Sequence, residues 1–233
     1  MPELLVDPET NALLISKGIP FEASHRHFSH ALAIHPLGTL HVDQGEKEKA
    51  IVRATVRQLI DEGSSAWVGY SFTWAASLAA RAGYPDDAAR LLTDFERAFV
   101  SRNGFHVNGD QTNSGLSNFT YRPFTLEGNF LFMDAIHEMY LQSFTGTLHI
   151  FPAVPDDWQD CAFEDLRAEG GFLVSASRGK GETASISITA IEDATLRLQN
   201  PFPGREPEAN LPIQINGELL TAELKAGQTL KLE

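Results

Sequence analysis

Apolar and charged positions alternate with helical spacing through the first part of the chain. From Glu46 to Glu62, Val52, Val56, Leu59 and Ile60 recur at that spacing with charged residues between them, predicting an amphipathic helix stopped by Gly63. Ser71 to Ala82 carries no charge until Arg81, which predicts a second helix, buried on most sides and closed by Gly83. Pro85 at a first-turn position opens a third helix to about Val100, with Asp86 and Asp87 suited to its amino-terminal dipole. Ala88, Leu91, Leu92, Phe95 and Phe99 form its inward face. A fourth helix is expected from about Phe124 to Gln142, apolar almost throughout. Glu127, Asp134 and Glu138 fall on one narrow stripe of it, because their offsets nearly complete whole turns. For Asp134 and Glu138 that stripe reads equally well as a solvated edge.

After Gly146 the period changes. TLHIF, GFLVSAS, ETASISITA, ATLRLQ, LPIQIN and ELLTAEL are short alternating or β-branched runs separated by Gly, Pro, Asn and Asp, the pattern of an all-β unit. Asn216-Gly217 between two such runs signals a hairpin. The expected organisation is therefore a helical domain over residues 1–150 and a β-sandwich-like domain over 151–233, with FPAVPDDW as the joint. Met1 to Ala23 reads as extended chain or a small hairpin.

The 233 residues are 42% hydrophobic, enough for a substantial core. A net charge of -13 without any basic run argues against a nucleic-acid partner. No apolar run is long enough to span a bilayer, so no membrane partner is expected, and the acidic start MPELLVDPETN lacks the form of a secretion leader. The one cysteine, Cys161, allows no internal disulfide.

Candidate chemistry concentrates in three places. The stretch Ser24 to Gly38, SHRHFSHALAIHPLG, packs His25, Arg26, His27, Ser29 and His30 immediately before the apolar run Ala31 to Ile34. Ser29 is expected to cap that run, and Pro36 and Gly38 to end it. Three readings of the polar knot stand side by side. The histidines, with His35 and His41, could ligate zinc, although no acidic or cysteine ligand stands at a recognisable spacing. They could be a hydrogen-bonded structural network. Or Arg26 and the imidazoles could offer forked and single donors to ligand hydroxyls. The second place is the loop Ser101 to Pro123, where Phe105, His106, Phe119, Tyr121 and Arg122 lie among Asn, Gly, Ser and Thr. Rings that cover sugar faces beside amides and an arginine make a sugar site, and a loop with its own small aromatic core accounts for the same residues. The third is Glu127, in the first turn of the fourth helix, where free amides and the dipole favour a carboxylate.

The segments HRHFSHALAIHPLG, TWAASLAARAG, FTLEGNFLFMDAIHEMYLQS, IFPAVPDDW and LRAEGGF, in this order and spacing, resemble the carboxy-terminal part of glycoside hydrolase family 95, which includes α-L-fucosidases and α-L-galactosidases. The resemblance covers about Pro2 to Phe172. It implies a catalytic (α/α)6 barrel, a following β-sandwich-like domain, and inverting hydrolysis of a terminal α-linked L-fucose or related sugar from a glycan. It also implies that Arg26 and His27, with His25 and His30 nearby, line the sugar pocket and that Glu127 helps activate the attacking water; Tyr121 of the aromatic loop and Asn129 of LEGN are further candidate sugar contacts read from the residues. Glu127 stands where many members carry Asp. No cofactor or metal is implied. The family's general acid and water-holding asparagines lie upstream of the matched segments, and four helices fall short of a full barrel. The chain is therefore expected to be the carboxy-terminal portion of a longer enzyme or a truncated product, completed by an upstream barrel half or by self-association. A non-catalytic glycan-binding fragment is the alternative.

Overall fold

The computed structural model describes residues 4–202 and 204–233. Residues 1–3, where the expected helical domain and the family resemblance begin, lie outside the described residues. Two compact units divide at Glu138/Met139. The expected boundary at 150/151 falls inside the second unit, because FPAVPDDW is not a joint. Its Phe151, Ala153 and Val154 are buried, and Phe151 packs edge-on to Phe163 with ring centroids 5.4 Å apart.

The helical unit contains α1 (Glu46–Asp61), α2 (Gly69–Ala82), α3 (Pro85–Phe99) and most of α4 (Glu127–Tyr140). On α1, Ile51, Val52, Thr55, Val56 and Leu59 are buried, as its period requires. Every residue of α2 except Tyr70 is buried. The helix starts earlier than its pattern suggests because the Ser71 hydroxyl accepts the Val68 amide, 3.2 Å away, and ends where Gly83 takes φ 73°. The α3 helix opens at Pro85 and packs on α2.

Two local expectations change. Ser29 is not a cap but the first residue of a 3-10 turn, Ser29–Ala33, whose preceding residue Phe28 makes no side-chain cap. The turn begins there because Phe28 is fully buried against Phe21, Trp67 and Trp74, which fixes the chain's entry. The α4 helix is shorter at both ends than its apolar run. Val107 bridges Phe124 and the Thr125 amide donates to His106 O at 3.2 Å, so these residues pair with the loop instead of coiling. At the other end Leu141–Gln142 becomes β1 and pairs with β2 (His149–Ile150). Before the knot, Val6 bridges Leu13 and Ser16 bridges Ile19, so of the two expectations there, extended chain or a small hairpin, short hairpin pairing is found.

The second unit holds two larger antiparallel sheets with a common core. One has the order β3 (Cys161–Ala168), β4 (Phe172–Gly179), β5 (Glu182–Ala190), β9 (Thr229–Leu232); the other runs β6 (Ala194–Gln199), β8 (Leu219–Leu224), β7 (Gln214–Asn216). Phe172, Val174, Ile186, Ile188 and Leu230 from the first meet Leu196, Leu198, Leu220 and Leu224 from the second. The β7–β8 hairpin turns at Asn216-Gly217, with Gly217 at φ 61°. The register of β3 breaks between Phe163 and Leu166, where Asp165 takes φ 52° and its amide donates to Ser175 Oγ at 3.0 Å. On β4 and β5, Ser177 and Ser185 Oγ lie 2.8 Å apart, and Thr189 on β5 does the same with Thr229 on β9.

Candidate functional site

The first turn of α2 gathers the knot and the long loop. Ser71 Oγ donates to Arg26 O at 3.0 Å, and the Gly69 amide donates to Asn108 O at 3.1 Å. The Asn118 amide donates to Ser65 O and Ser117 Oγ to Trp67 O, so the loop is fastened just ahead of the helix. Within the loop, the Asn108, Gly109 and Asp110 amides donate to Pro123, Tyr121 and Phe119 carbonyls. This irregular ladder alternates side chains, placing Phe119 and Tyr121 on one face with ring centroids 5.6 Å apart. A Cβ at Gly109 would lie 2.6 Å from Tyr121 O, so this close pairing requires glycine. Asp110 is buried; burial pushes its carboxyl up, but hydrogen bonds from Ser114 and Thr112 outweigh it and hold it below the usual range. The loop is thus built, as its aromatic content suggested.

Apart from Glu127, the residues picked out from sequence separate into three groups. Arg26 sets its guanidinium 5.8 Å from the Phe119 ring centre and donates from Nε to His27 Nε2 at 3.1 Å, which brings Arg26, His27, Phe119 and Tyr121 together. His25, Arg26, His27 and Tyr121 are exposed, so their remaining donors and ring faces are open to a ligand. On the other side of the knot, His25, His27 and His30 line a cleft of about 420 Å³ with Phe21, Ile15 and Pro20. His30 stacks 4.9 Å from Phe21, and burial lowers its pKa to about 4. His27 is also lowered, by burial and then by Arg26 and His25. Asn129 forms the third group alone. Its Oδ1 accepts the His106 amide and its Nδ2 donates to Gly104 O, both at 2.8 Å, so its amide fastens the loop to α4 instead of facing outward.

Glu127 is exposed in the first turn of α4. Tyr70, on the first turn of α2, lies near enough that burial, then Asp134 and then Glu127 push its phenol pKa up. His106, which the sequence offered only as one of several rings in the loop, is fully buried between the two helix starts.

Asp134 and Glu138 are paired across to other elements instead of forming a free solvated edge, although the Asp134 side chain stays 44% exposed. Asp134 accepts Ser77 Oγ at 3.1 Å and pairs with His35 Nε2 at 2.9 Å; Glu138 receives Arg81 Nε and Nη2 at 3.0 and 2.6 Å. Arg81 Nη1 also donates to Ile34 O at 2.7 Å, and Trp74 Nε1 to His35 O at 3.2 Å. Burial raises the Asp134 carboxyl, but His35, Ser77 and Arg81 outweigh it and the net shift is down. Among the described residues, His35, Asp134 and Glu138 are the group with ligand atoms close enough for a metal, all within 4.8 Å. Arg81 occupies both Glu138 oxygens and would repel a cation, so the donor set fits an ion-pair network better than a metal. Ser77/Arg81 on α2 and Asp134/Glu138 on α4 share the same four-residue spacing, a complementarity visible only once the two helices are known to face each other.

Residues 20–140 match the model of the glycosyl hydrolase family 95 catalytic domain, and residues 142–232 that of the glycoside hydrolase family 95 C-terminal domain. Alpha-L-fucosidase 2 of Arabidopsis thaliana is 30% identical over 178 residues, covering 76% of this chain and 20% of that protein. The chain therefore spans about a fifth of that relative's length. Among solved structures, one described as "Putative kojibiose phosphorylase from human microbiome" aligns at 12% identity and a TM-score of 0.45, over 98% of this chain and 32% of the other. A GH127 beta-L-arabinofuranosidase from Geobacillus stearothermophilus T6 aligns at 13% identity and 0.38, over 92% and 43%. The first family match runs through the knot, the loop and Glu127, and the second covers the sheets, so by sequence the chain belongs to glycoside hydrolase family 95.

Proposed function

We propose that this chain supplies one wall of the active site of an inverting glycoside hydrolase that releases a terminal α-linked L-fucose or a related sugar from a glycan. The observation that supports this most is the exposed Glu127 carboxylate on a helix start, tied by one loop to the α2 start that holds Arg26, Phe119 and Tyr121. In this reading the Phe119 and Tyr121 rings cover an apolar sugar face, while Arg26 and His27 donate to ring hydroxyls. Glu127 accepts a proton on the side where water attacks. Inversion requires a proton donor on the opposite side, roughly 6.5–9.5 Å from the base. That donor is expected from barrel helices beyond the four described. Phe130 and Met133 on α4, 65% and 69% exposed, are consistent with a partial (α/α)6 barrel whose remaining helices cover them.

The test is Glu127→Gln in the longest natural protein containing this chain. Turnover of an α-L-fucoside falls by orders of magnitude with KM nearly unchanged, because the lost proton acceptance matters in the transition state. Unchanged turnover removes Glu127 from the mechanism. Saturable glycan binding with no hydrolysis in the unmutated protein would instead make the chain a binding module.

A further inference from the structure

We propose that His106 is the positioning residue for Glu127, a buried imidazole wedge that sets where the first turn of α4 stands against the first turn of α2. The proposal rests on the reading of Glu127 given above. It comes from four independent attachments, all to residues flanking Glu127 or to the facing helix start.

The ring occupies space that only glycines leave. A Cβ at Gly69, the first residue of α2, would overlap His106 Nε2, and a Cβ at Gly128 would lie 2.6 Å from Nδ1. Any other residue at either position would collide with the imidazole. Nδ1 is 2.7 Å from Thr125 Oγ1, two residues before Glu127. The His106 amide donates to Asn129 Oδ1 at 2.8 Å, two residues after it, and the His106 carbonyl accepts the Thr125 amide at 3.2 Å. Phe95 of α3 closes the remaining side with ring centroids 5.2 Å apart. Residues 125 and 128 are therefore referred to the ring and residue 129 to the backbone amide of the same residue, and Glu127 sits among them.

The ring's own chemistry is that of a fixed neutral spacer. Burial lowers its pKa to about 4 against the upward pull of Glu127 and Thr125, and among the described residues Nε2 has no hydrogen-bond partner. It cannot exchange protons with Glu127 near neutrality, so its influence on the carboxylate is through position. A displacement near 1 Å at a reacting group costs on the order of 100-fold in rate.

The experiment measures steady-state α-L-fucoside hydrolysis and thermal melting for four variants of the longest natural protein: His106→Ala, His106→Asn, Thr125→Val and Glu127→Gln. Asparagine places an amide atom where Nδ1 meets Thr125. His106→Ala is expected to lose roughly 10- to 100-fold in kcat with KM within about 3-fold. His106→Asn recovers to within about 5-fold of the parent, and Thr125→Val, nearly isosteric, loses several-fold in kcat alone. A folded His106→Ala with parental kcat overturns the proposal, as does an Asn variant no better than Ala. If His106→Ala does not fold, Thr125→Val decides, and parental kcat there overturns it. The Glu127→Gln arm separates the two readings. Parental turnover in Glu127→Gln defeats the assignment of Glu127 itself and this proposal with it. Loss there, with no loss on changing His106 or Thr125, defeats this proposal only.

Discussion

Replacing Arg81 with Met should be the most damaging charge removal in the helical unit. Arg81 and Glu138 side chains are 6% and 12% exposed, and two of the guanidinium nitrogens lie 2.6 and 3.0 Å from the carboxylate. Breaking a buried pair by removing one partner costs about 3–5 kcal/mol, because the remaining charge keeps its desolvation penalty. The Ile34 carbonyl loses its 2.7 Å donor as well, for about 1–3 kcal/mol more if no water replaces it. These are not strictly additive, so a total near 5 kcal/mol is expected, or roughly 10–20 °C in melting temperature at about 2–4 °C per kcal/mol. Arg81→Met/Glu138→Leu should recover most of the loss, since a buried pair exchanged for apolar side chains is often neutral. The exposed pair Lys49–Glu46, 3.3 Å apart, is the internal control: Lys49→Ala should cost under about 0.5 kcal/mol. Urea denaturation followed by circular dichroism measures all three. An Arg81→Met cost below about 1 kcal/mol, or a double variant no more stable than the single, would refute the claim that burial makes this pair costly to break.

Acid should weaken the fold in a specific window. His106 is held at about 4 when folded and returns to about 6.5 when unfolded, so its contribution is complete above 6.5 and is lost as pH falls to 4, up to about 3 kcal/mol. Proton uptake on unfolding near pH 5, measured by calorimetry, should shrink in His106→Asn; equal uptake contradicts the assignment. Phe119→Ala removes both the ring beneath Arg26 and one aromatic face, and should weaken glycan affinity about 5- to 50-fold by calorimetry, with unchanged affinity counting against the aromatic site. Gly217→Ala, at φ 61°, should cost about 1 kcal/mol by chemical denaturation, and a stabilised variant would contradict the hairpin geometry. The chain expressed alone should self-associate in light scattering and show no fucoside turnover, whereas a clean monomer with turnover would place the proton donor among these residues.

Where one local signal decides an element, the sequence was enough. Pro85 and the paired aspartates start α3 where they should, and Gly63, Gly83 and Asn216-Gly217 turn the chain with positive φ at the glycines. Where pairing with distant chain competes, it was not. The apolar run from Phe124 to Gln142 is helical by period, yet its first residues pair with the loop and its last two with His149–Ile150. Strand β3 escaped notice because its Glu164, Asp165 and Arg167 break the alternation at the bulge. At the site, Arg26, Tyr121 and Asn129 could be named only by residue type. The structure brings Arg26 and Tyr121 together around Phe119, whereas both ends of the Asn129 amide are committed to backbone, a fact that depends on which loop passes overhead. His106 carried no signal beyond being a histidine in a polar loop, since what defines it is the absence of two Cβ atoms on separate helices.

The bulge at Asp165 bears on how the β unit behaves when crowded. A strand at a sheet margin is an open template for a strand from another molecule. On β3 that template is interrupted: the register shifts, the Asp165 amide turns inward to Ser175 Oγ, and charged Glu164 and Arg167 flank the break. At the opposite margin β9 is covered by the Ala209 bridge and by reciprocal Glu208–Glu233 backbone bonds. In the other sheet the marginal β7 is short and exposed at every position. On the remaining margin, β6, Leu148 bridges Leu198 and bonds to Arg197 and Gln199, so edge-to-edge pairing through the two larger sheets is hindered at all four margins and fibrillar aggregates should not grow from them even when the protein is concentrated. Any association of copies falls to side chains such as Phe130 and Met133, and should dissolve on dilution.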